Sequence, residues 1–271
     1  MTIMSILSIL VTNLVVVAAA FLVLWLLCLR LKDPTPIDAY WGLGMGVLAT
    51  STFLQLAEPS ARSWLLLVLC WAWAIRLASY MIWRWRDHGP DRRYTRMMEK
   101  SREKRGWGFA LSSMMLVIVP QAPLQFIVGL PVQLGQVAAE PAGLGVLALA
   151  GAAVAVFGLA WETIADVQLT RFRKNPENAL KIMKTGLWRY SRHPNYFGEA
   201  TFWWGLFLIA AETVPGRYSI IGPIILTWLL FTWSGLPTME HRMRKQKPGY
   251  AEYIESTSSF IPMPPAKKMD A

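Results

Sequence analysis

Three side chains in the second half of the chain recur at intervals of four residues: Asn195, Glu199 and Trp203. In a helix, this spacing places an amide, a carboxylate and an indole in one column on the same face. The amide and the carboxylate suit hydroxyl or carboxamide groups, and the indole suits stacking on a flat ring. Helix packing alone does not require such a column, which therefore predicts a binding site for a polar molecule that contains an aromatic ring.

Basic and aromatic residues cluster at the start of this column, within the stretch 188–196. Arginine and histidine side chains bind phosphate oxygens, so this stretch is expected to neutralise phosphates of the same ligand. Pro194 suits the first turn of the helix that carries the column. The side chains concerned are Trp188, Arg189, Tyr190, Arg192, His193 and Tyr196.

Two acids lie near the end of the preceding apolar stretch. Glu162 and Asp166 are four residues apart, so that both lie on one helical face, and Arg173 follows two turns later. Carboxylates near the hydrocarbon boundary are costly without partners. Two interpretations stay open: an ion-pair network that holds this helix to its neighbours, or a ligand site in which the acids accept hydrogen bonds and the arginine binds phosphate.

The elements that carry these residues are predicted from composition. Of the 271 residues, 54% are hydrophobic and 16% are charged, whereas soluble domains carry about 25% charged residues. A bilayer-spanning helix needs roughly 20 mostly apolar residues, and we therefore expect an all-α integral membrane protein, a bundle of seven transmembrane helices. The first is expected to be a retained helix because it lacks the basic leader of a signal peptide. The expected spans are 5–29, 39–57, 63–83, 108–134, 142–165, 195–212 and 218–237.

The distribution of Lys and Arg predicts the orientation, because cytoplasmic loops of membrane proteins carry the excess of positive charge. Of the 27 basic residues, 24 fall in loops on one side of the seven spans, and only Arg62 and Arg217 fall in loops on the other. We therefore expect the N-terminus outside and the C-terminus in the cytoplasm. The net charge of +10 is interpreted as a topology signal, with no nucleic acid as partner. The basic segment 84–108 is expected to be a solvated connector that faces the lipid headgroups.

The sequence gives no support to metal chemistry. Cys28 and Cys70 both lie in apolar spans, and we expect them to be core thiols. His88, His193 and His241 are far apart, and no pair has metal-ligand spacing.

Several motifs resemble a known family. GLWRYSRHPNYFGE, preceded by ETIADVQLTRFRKN, resembles the C-terminal half of the steroid 5α-reductase superfamily, and most closely its bacterial DUF1295-like branch, described only as a domain of unknown function. IDAYWG, IRLASY, SGLPTMEHR and YAEYIESTSSFIP extend the resemblance over residues 38–262. The resemblance implies a seven-helix membrane bundle with an NADPH pocket that faces the cytoplasm, in the inner membrane of a bacterium.

The same resemblance implies a division of roles along the chain. Residues 1–134 are expected to form the substrate side, which a lipophilic molecule enters from the membrane lipids, and residues 142–265 the NADPH-binding half. Lys181 stands where the reductases have an arginine. Together with the phosphate-binding stretch, the residues expected to bind the cofactor are Arg76, Glu162, Asp166, Arg173, Tyr190, Arg192, His193, Asn195, Tyr196, Glu199 and Trp203.

The implied reaction is hydride transfer from the nicotinamide to the β-carbon of an alkene conjugated to a carbonyl, while an acid stabilises the enolate. The reductases use a glutamate and a tyrosine for this step. Asp38 is expected to replace the glutamate, but Trp73 occupies the position of the tyrosine. Because an indole cannot give up a proton usefully, Tyr80, or alternatively Tyr40, is expected to act with Asp38.

Structural roles compete with two of these assignments. Asp38 follows a DPTPI segment and alternatively caps the second span. Arg76 lies inside a span, where a charge is expensive. It either pairs with Asp166 or Glu162, or it contacts a phosphate or carbonyl group.

Two other hypotheses of function stay open. Isoprenylcysteine carboxyl methyltransferases, which use S-adenosylmethionine, share an Arg-His-Pro-x-Tyr stretch, and the resemblance to them includes His193, Tyr196, Glu240 and Tyr250. The ADVQ and HPNY motifs favour the reductase branch. The other hypothesis is a non-enzymatic relative that retains the fold. The sequence does not indicate the oligomeric state.

Overall fold

The computed structural model describes residues 3–141, 143–232, 240 and 243–266. The elements in these ranges are helical, and no β-strand occurs among them, which confirms the all-α prediction. A π-helical turn lies at Met114–Ile118. The α-helices are α1 (Ile3–Leu31), α2 (Pro36–Leu54), α3 (Ala61–His88), α4 (Arg92–Arg105), α5 (Phe109–Ser113), α6 (Val119–Val128), α7 (Leu130–Leu134), α8 (Val146–Lys174), α9 (Pro194–Ala210), α10 (Val214–Arg217), α11 (Ile221–Thr232) and α12 (Tyr250–Ser256).

Among the described residues, five helical stretches are long and apolar enough to cross a membrane: Ile3–Leu31, Ala61–His88, Phe109–Val128, Val146–Lys174 and Val214–Thr232. Each overlaps one of the predicted spans, and together they support an integral membrane protein. The other two predicted spans form helices α2 and α9, which are not among these five. The count of seven spans and the orientation stay predictions. The end of the last predicted span, beyond residue 232, lies outside the described residues.

The chain divides into two compact units. Unit 1 comprises Met1–Leu149 and Phe207–Gly222, and unit 2 comprises Ala150–Leu206 and Pro223–Ala271. Helices α1 to α7 lie in unit 1, whereas most of α8 and α9 lies in unit 2.

Unit 1 is held together by an apolar cluster that includes Phe21 of α1, Ile37 of α2 and Val117 of the π-helical turn, all buried. Close helix packing adds to this core. A Cβ on Gly42 would lie 2.7 Å from the carbonyl oxygen of Ala74, so that α2 and α3 approach each other at backbone distance. Small residues permit such approach between membrane helices.

Glu212 of unit 1 anchors the start of α8. Its carboxylate accepts hydrogen bonds from the backbone N–H groups of Gly145 (3.2 Å) and Ala148 (3.0 Å), and it lies 3.7 Å from Arg62 Nε. Arg62 also donates to two carbonyl groups of the loop before α8. The first N–H groups of a helix have no partner within the helix, and here the carboxylate of Glu212 supplies one.

Two glycines let α8 and α9 cross in close contact within unit 2. A Cβ on Gly158 would lie 2.4 Å from the backbone nitrogen of Phe202, and one on Gly198 would lie 2.5 Å from that of Glu162. The crossing therefore places Glu162 against the beginning of α9, which carries the predicted column.

Candidate functional site

The predicted acids and amide meet at the crossing of α8 and α9. Asn195 Nδ2 donates a hydrogen bond of 3.2 Å to Asp166 Oδ1. Glu162 lies one turn before Asp166 on α8, and the two residues are only 3% and 6% exposed. Buried carboxylates need hydrogen-bonding partners, and Asn195 supplies one of them. This group of two acids and one amide can accept hydrogen bonds from hydroxyl and carboxamide groups.

The other members of the predicted column differ in depth. Glu199 is partly exposed, as is the neighbouring Tyr196. Trp203 is fully buried and packs edge-on against Phe202, with ring centroids 5.9 Å apart. The column thus runs from a partly exposed amide at the start of α9 to a buried indole two turns later.

Arg192 is bound to the C-terminal strap, which we define as residues 250–266. Its Nη1 donates to the carbonyl oxygens of Ile254 (3.0 Å) and Thr257, and its Nε donates to Glu240 Oε1 at 2.8 Å. Its backbone N–H donates to a further strap carbonyl at 2.8 Å. These bonds favour a role for Arg192 as an anchor over the predicted role as a phosphate ligand.

His193 contacts the same carboxylate. Its Nε2 is buried 3.4 Å from Glu240 Oε1, an ion pair when the imidazole is protonated, and no described residue forms a hydrogen bond with it. The ring stacks on Tyr196, with centroids 5.4 Å apart and 14° between the planes. Burial raises the pKa of Glu240, but the contacts with His193 and Arg192 outweigh burial and lower that pKa to about 2. Glu240 is therefore a carboxylate at neutral pH, and it occupies the space next to the buried His193 Nε2.

The strap also fixes the segment that precedes α9. The backbone N–H of Met263 donates to the carbonyl of Tyr190 at 2.9 Å, and the hydroxyl of Tyr253 donates to the carbonyl of Trp188. The side chain of Tyr190 stays 40% exposed. The strap thus holds the backbone of the predicted phosphate-binding stretch, while the aromatic ring of Tyr190 faces outwards.

Exposed cations surround the end of α8 and the loop that follows it. A depression of about 330 Å³ lies there, lined by Gln168, Arg171, Phe172, Met183, Thr185 and Gly186. Burial lowers the pKa of Lys247, and the positive charge of Arg173 lowers it further. Between residues 171 and 189 the only acid is Glu177. The excess of positive charge in this segment favours the binding of an anion. The exposed cations are Arg171, Arg173, Lys174, Lys181, Lys184 and Arg189.

Asp38 of unit 1 is the centre of a network at the start of α2. Its Oδ2 accepts from Nη2 of Arg84 (3.2 Å) and of Arg93 (3.0 Å), and its Oδ1 accepts from the hydroxyl of Tyr94 at 2.7 Å. Asp91 shares both arginines, at 3.4 and 3.0 Å. Asp38 lies in the first turn of α2, where the helix dipole favours a negative charge, but its side chain holds other elements in place of capping the helix.

Tyr94 is the residue of this network that the sequence analysis missed. The segment expected to be a solvated connector forms helix α4 in its second half, and that helix stays mostly exposed. The expectation is wrong for Tyr94, which is 8% exposed. Burial raises the pKa of Tyr94 well above its ordinary value, and the nearby charge of Asp38 raises it further. The neighbouring Gln121 lowers this pKa in part. Its own Oε1 accepts from Trp41 Nε1 at 2.5 Å.

The tyrosines predicted to act with Asp38 have other neighbours. Tyr80 stacks on Trp83, with centroids 6.0 Å apart, and the guanidinium carbon of Arg76 lies 5.8 Å from the Tyr80 ring. Tyr40 packs edge-on against Phe21. The contacts therefore favour Tyr94 over both as the partner of Asp38.

Comparisons with known proteins identify the family of this chain, but they assign no activity to that family. The family described as DUF1295, protein of unknown function, matches residues 24–257. The chain is also 31% identical over 86 residues to the uncharacterized protein C594.04c of Schizosaccharomyces pombe, a match that covers 29% of this chain and 23% of the yeast protein. No solved structure matches the chain. Because the family match covers most of the chain, including the α8–α9 site and the Asp38 network, the protein belongs to the DUF1295 family.

Proposed function

We propose that this protein is a membrane-embedded, NADPH-dependent reductase that transfers a hydride to the activated C=C bond of a lipophilic enone. The observation that supports the proposal most is the hydrogen bond between Asn195 and Asp166 beside the buried Glu162. Polar groups at this depth are costly in a membrane protein and commonly mark functional sites. The resemblance to the steroid 5α-reductase superfamily supplies the class of reaction.

The chemistry of the side chains in unit 2 fits a nicotinamide dinucleotide. The carboxylates of Glu162 and Asp166 suit the ribose hydroxyls and the carboxamide N–H groups, and Asn195 suits either partner. The exposed cations of residues 171–189 could bind the phosphates of the cofactor. Arg192 is then not needed for this role and anchors the strap. When bound, NADPH supplies the hydride; the residues of the chain bind and orient it.

The network around Asp38 in unit 1 contains a group that could act as the acid of the reaction, by donating a hydrogen bond to the carbonyl oxygen of the enone. Hydride addition to the β-carbon pushes the electron pair of the double bond onto the carbonyl oxygen, which needs a hydrogen-bond donor. We assign this donor to the hydroxyl of Tyr94. A tyrosine hydroxyl is protonated at neutral pH, and burial raises the pKa of Tyr94 further above that range. Arg84 and Arg93 compensate the charge of Asp38 when the hydroxyl turns towards the substrate. Protonation of the α-carbon from water completes the reduction.

A thermal shift in detergent tests the cofactor assignment. A ligand that binds the folded state at 100 times its Kd stabilises that state by about 2.7 kcal/mol, so NADPH is expected to raise the Tm of the protein by several degrees. Asn195→Leu is expected to abolish this rise, and the melting temperature without ligand shows whether the variant is folded. An equal NADPH shift in the wild type and in the variant would refute the site, and no shift in either would refute the cofactor.

One observation favours a second candidate, an S-adenosylmethionine-dependent methyltransferase. Glu240 contacts both Arg192 and His193, and two of these three residues belong to the resemblance with the isoprenylcysteine methyltransferases. The same thermal shift separates the candidates, because S-adenosylmethionine would then stabilise the protein and NADPH would not. A non-enzymatic relative would respond to neither ligand.

A further inference from the structure

Helix α4 lies beside the beginning of a membrane span. It ends at Arg105, and only residues 106–108 separate it from the apolar stretch Phe109–Val128. Three residues extend over about 10 Å at most. The hydroxyl of Ser112 in that stretch donates to Ser101 of α4 at 2.8 Å, and both serines are buried. The second half of α4 is therefore held against the beginning of a stretch that is long and apolar enough to cross a membrane, and the lipid headgroups would surround that beginning.

One face of α4 is built into unit 1. Tyr94 and Ser101 are seven residues apart, on the same face, and are 8% and 4% exposed. Met98 packs against the apolar cluster beside them. At the C-terminal end, the guanidinium carbon of Arg105 lies 4.9 Å from the ring centroid of Trp107. Tryptophan is enriched at the membrane–water interface, which agrees with the depth derived from the chain connection.

The flank next to this buried face is cationic. Met97, Lys100 and Lys104 follow at spacings of three and four residues, and they therefore form one stripe along the helix. Both lysines are exposed, and Met97 is 36% exposed. Of the two acids of α4, Glu103 lies three residues from Lys100, whereas Lys104 has no acid of α4 three or four residues away. The stripe thus presents two exposed ammonium groups and one partly exposed apolar side chain.

We infer that the stripe of Met97, Lys100 and Lys104 docks on the headgroups of anionic phospholipids. The ammonium groups bind the phosphodiester oxygens, and the methionine contacts the upper part of the acyl chains. Charge complementarity and the depth of α4 carry this inference, which does not depend on the proposed reductase activity. Because Arg93 and Tyr94 lie in the first turn of the same helix, bound lipid also stabilises the network around Asp38.

Native mass spectrometry of the full chain in non-ionic detergent tests the docking. The protein is titrated with phosphatidylglycerol and, separately, with phosphatidylcholine. A lysine at an anionic surface contributes about a fivefold factor in binding, so Lys100→Gln/Lys104→Gln is expected to weaken phosphatidylglycerol binding about 25-fold and to leave phosphatidylcholine binding unchanged. Lys100→Arg/Lys104→Arg is expected to bind like the wild type.

Arg92→Gln/Arg102→Gln is the matched control, since it removes the same charge from exposed positions of α4 outside the stripe. It is expected to change phosphatidylglycerol binding less than twofold. Unchanged phosphatidylglycerol binding in the lysine variant would overturn the inference. Equal weakening in the control would also overturn it, because the binding would then follow the total charge. Competition by millimolar glycerol 3-phosphate as effective as that by the lipid would show an adventitious phosphate site and would count against lipid docking.

Discussion

Glu240→Gln is expected to loosen the C-terminal strap, because it removes the charge that binds Arg192 and His193 and keeps the size of the side chain. The pKa of Glu240 falls from an ordinary value of 4.5 to about 2 in the folded protein. At about 1.36 kcal/mol per pH unit, this fall corresponds to about 3 kcal/mol of stabilisation. The Glu240 side chain is only 18% exposed, so that solvent screens the interaction little.

The pH dependence of this stabilisation has a definite sign. The folded pKa of Glu240 lies below the unfolded one, so the unfolded state binds the proton first as the pH falls. The stabilisation is therefore complete above about pH 4.5 and is lost progressively towards pH 2. Wild type and Glu240→Gln should differ at pH 7 and should converge near pH 2.

Hydrogen exchange of the strap measures the effect at single amides. The N–H of Met263, which donates to the carbonyl of Tyr190, is expected to lose protection about 100-fold in Glu240→Gln at pH 7, since 1.4 kcal/mol corresponds to a factor of ten. Glu255→Gln, an exposed change in the same strap, is the control and should leave protection unchanged. Equal protection in wild type and Glu240→Gln at pH 7 would refute the view that this carboxylate anchors the strap.

Three further substitutions address the other parts of the molecule. Tyr94→Phe is expected to abolish most NADPH oxidation with a conjugated steroid or acyl enone and to cost about 1 to 2 kcal/mol of stability, whereas Tyr80→Phe should retain activity; equal loss in both would contradict the assignment of the donor. Gly198→Ala is expected to cost about 1 to 3 kcal/mol through overpacking, because its Cβ would lie 2.5 Å from the Glu162 nitrogen; a circular-dichroism melt in detergent measures this, and an unchanged Tm would exclude the close crossing. Glu212→Ala is expected to cost about 3 to 5 kcal/mol by leaving the Arg62 guanidinium without its carboxylate, and a chemical denaturation curve indistinguishable from that of the wild type would rule out the anchor.

Local periodicity was sufficient to predict the core of the candidate site. The spacing of four residues between Glu162 and Asp166 placed both acids on one face of α8. The same spacing in α9 placed Asn195 at the partly exposed end of a column. Neither the spacing in α8 nor the spacing in α9 predicts that the two helices contact each other. It depends on Gly158 and Gly198, which remove the side chains that would otherwise keep the helices apart.

The contacts that the sequence did not predict join residues that are distant in sequence. Tyr94 is 56 residues from Asp38, and no local pattern connects them. Asp38 stands at the start of an apolar span, which suggested a membrane environment. Tyr94 stands in a basic segment, which suggested a solvated one. A period of seven between Tyr94 and Ser101, with Met98 between them, was the available signal for a buried helical face. Arg192 was similarly ambiguous, because the strap carbonyls that bind it lie 62 and 65 residues away.

Compensation of charge separates the arginines and lysines that hold the fold from those that are available to ligands. Arg84 and Arg93 share two carboxylates, and Arg192 is bound by Glu240 and strap carbonyls. Arg192, whose side chain is 8% exposed, would have to lose these partners before it could bind a phosphate, and the loss of a buried ion-pair partner costs about 3 to 5 kcal/mol. We therefore propose phosphate recognition for the exposed cations of residues 171–189 and lipid recognition for those on the flank of α4. The compensated arginines instead set the positions of Asp38 and of the strap.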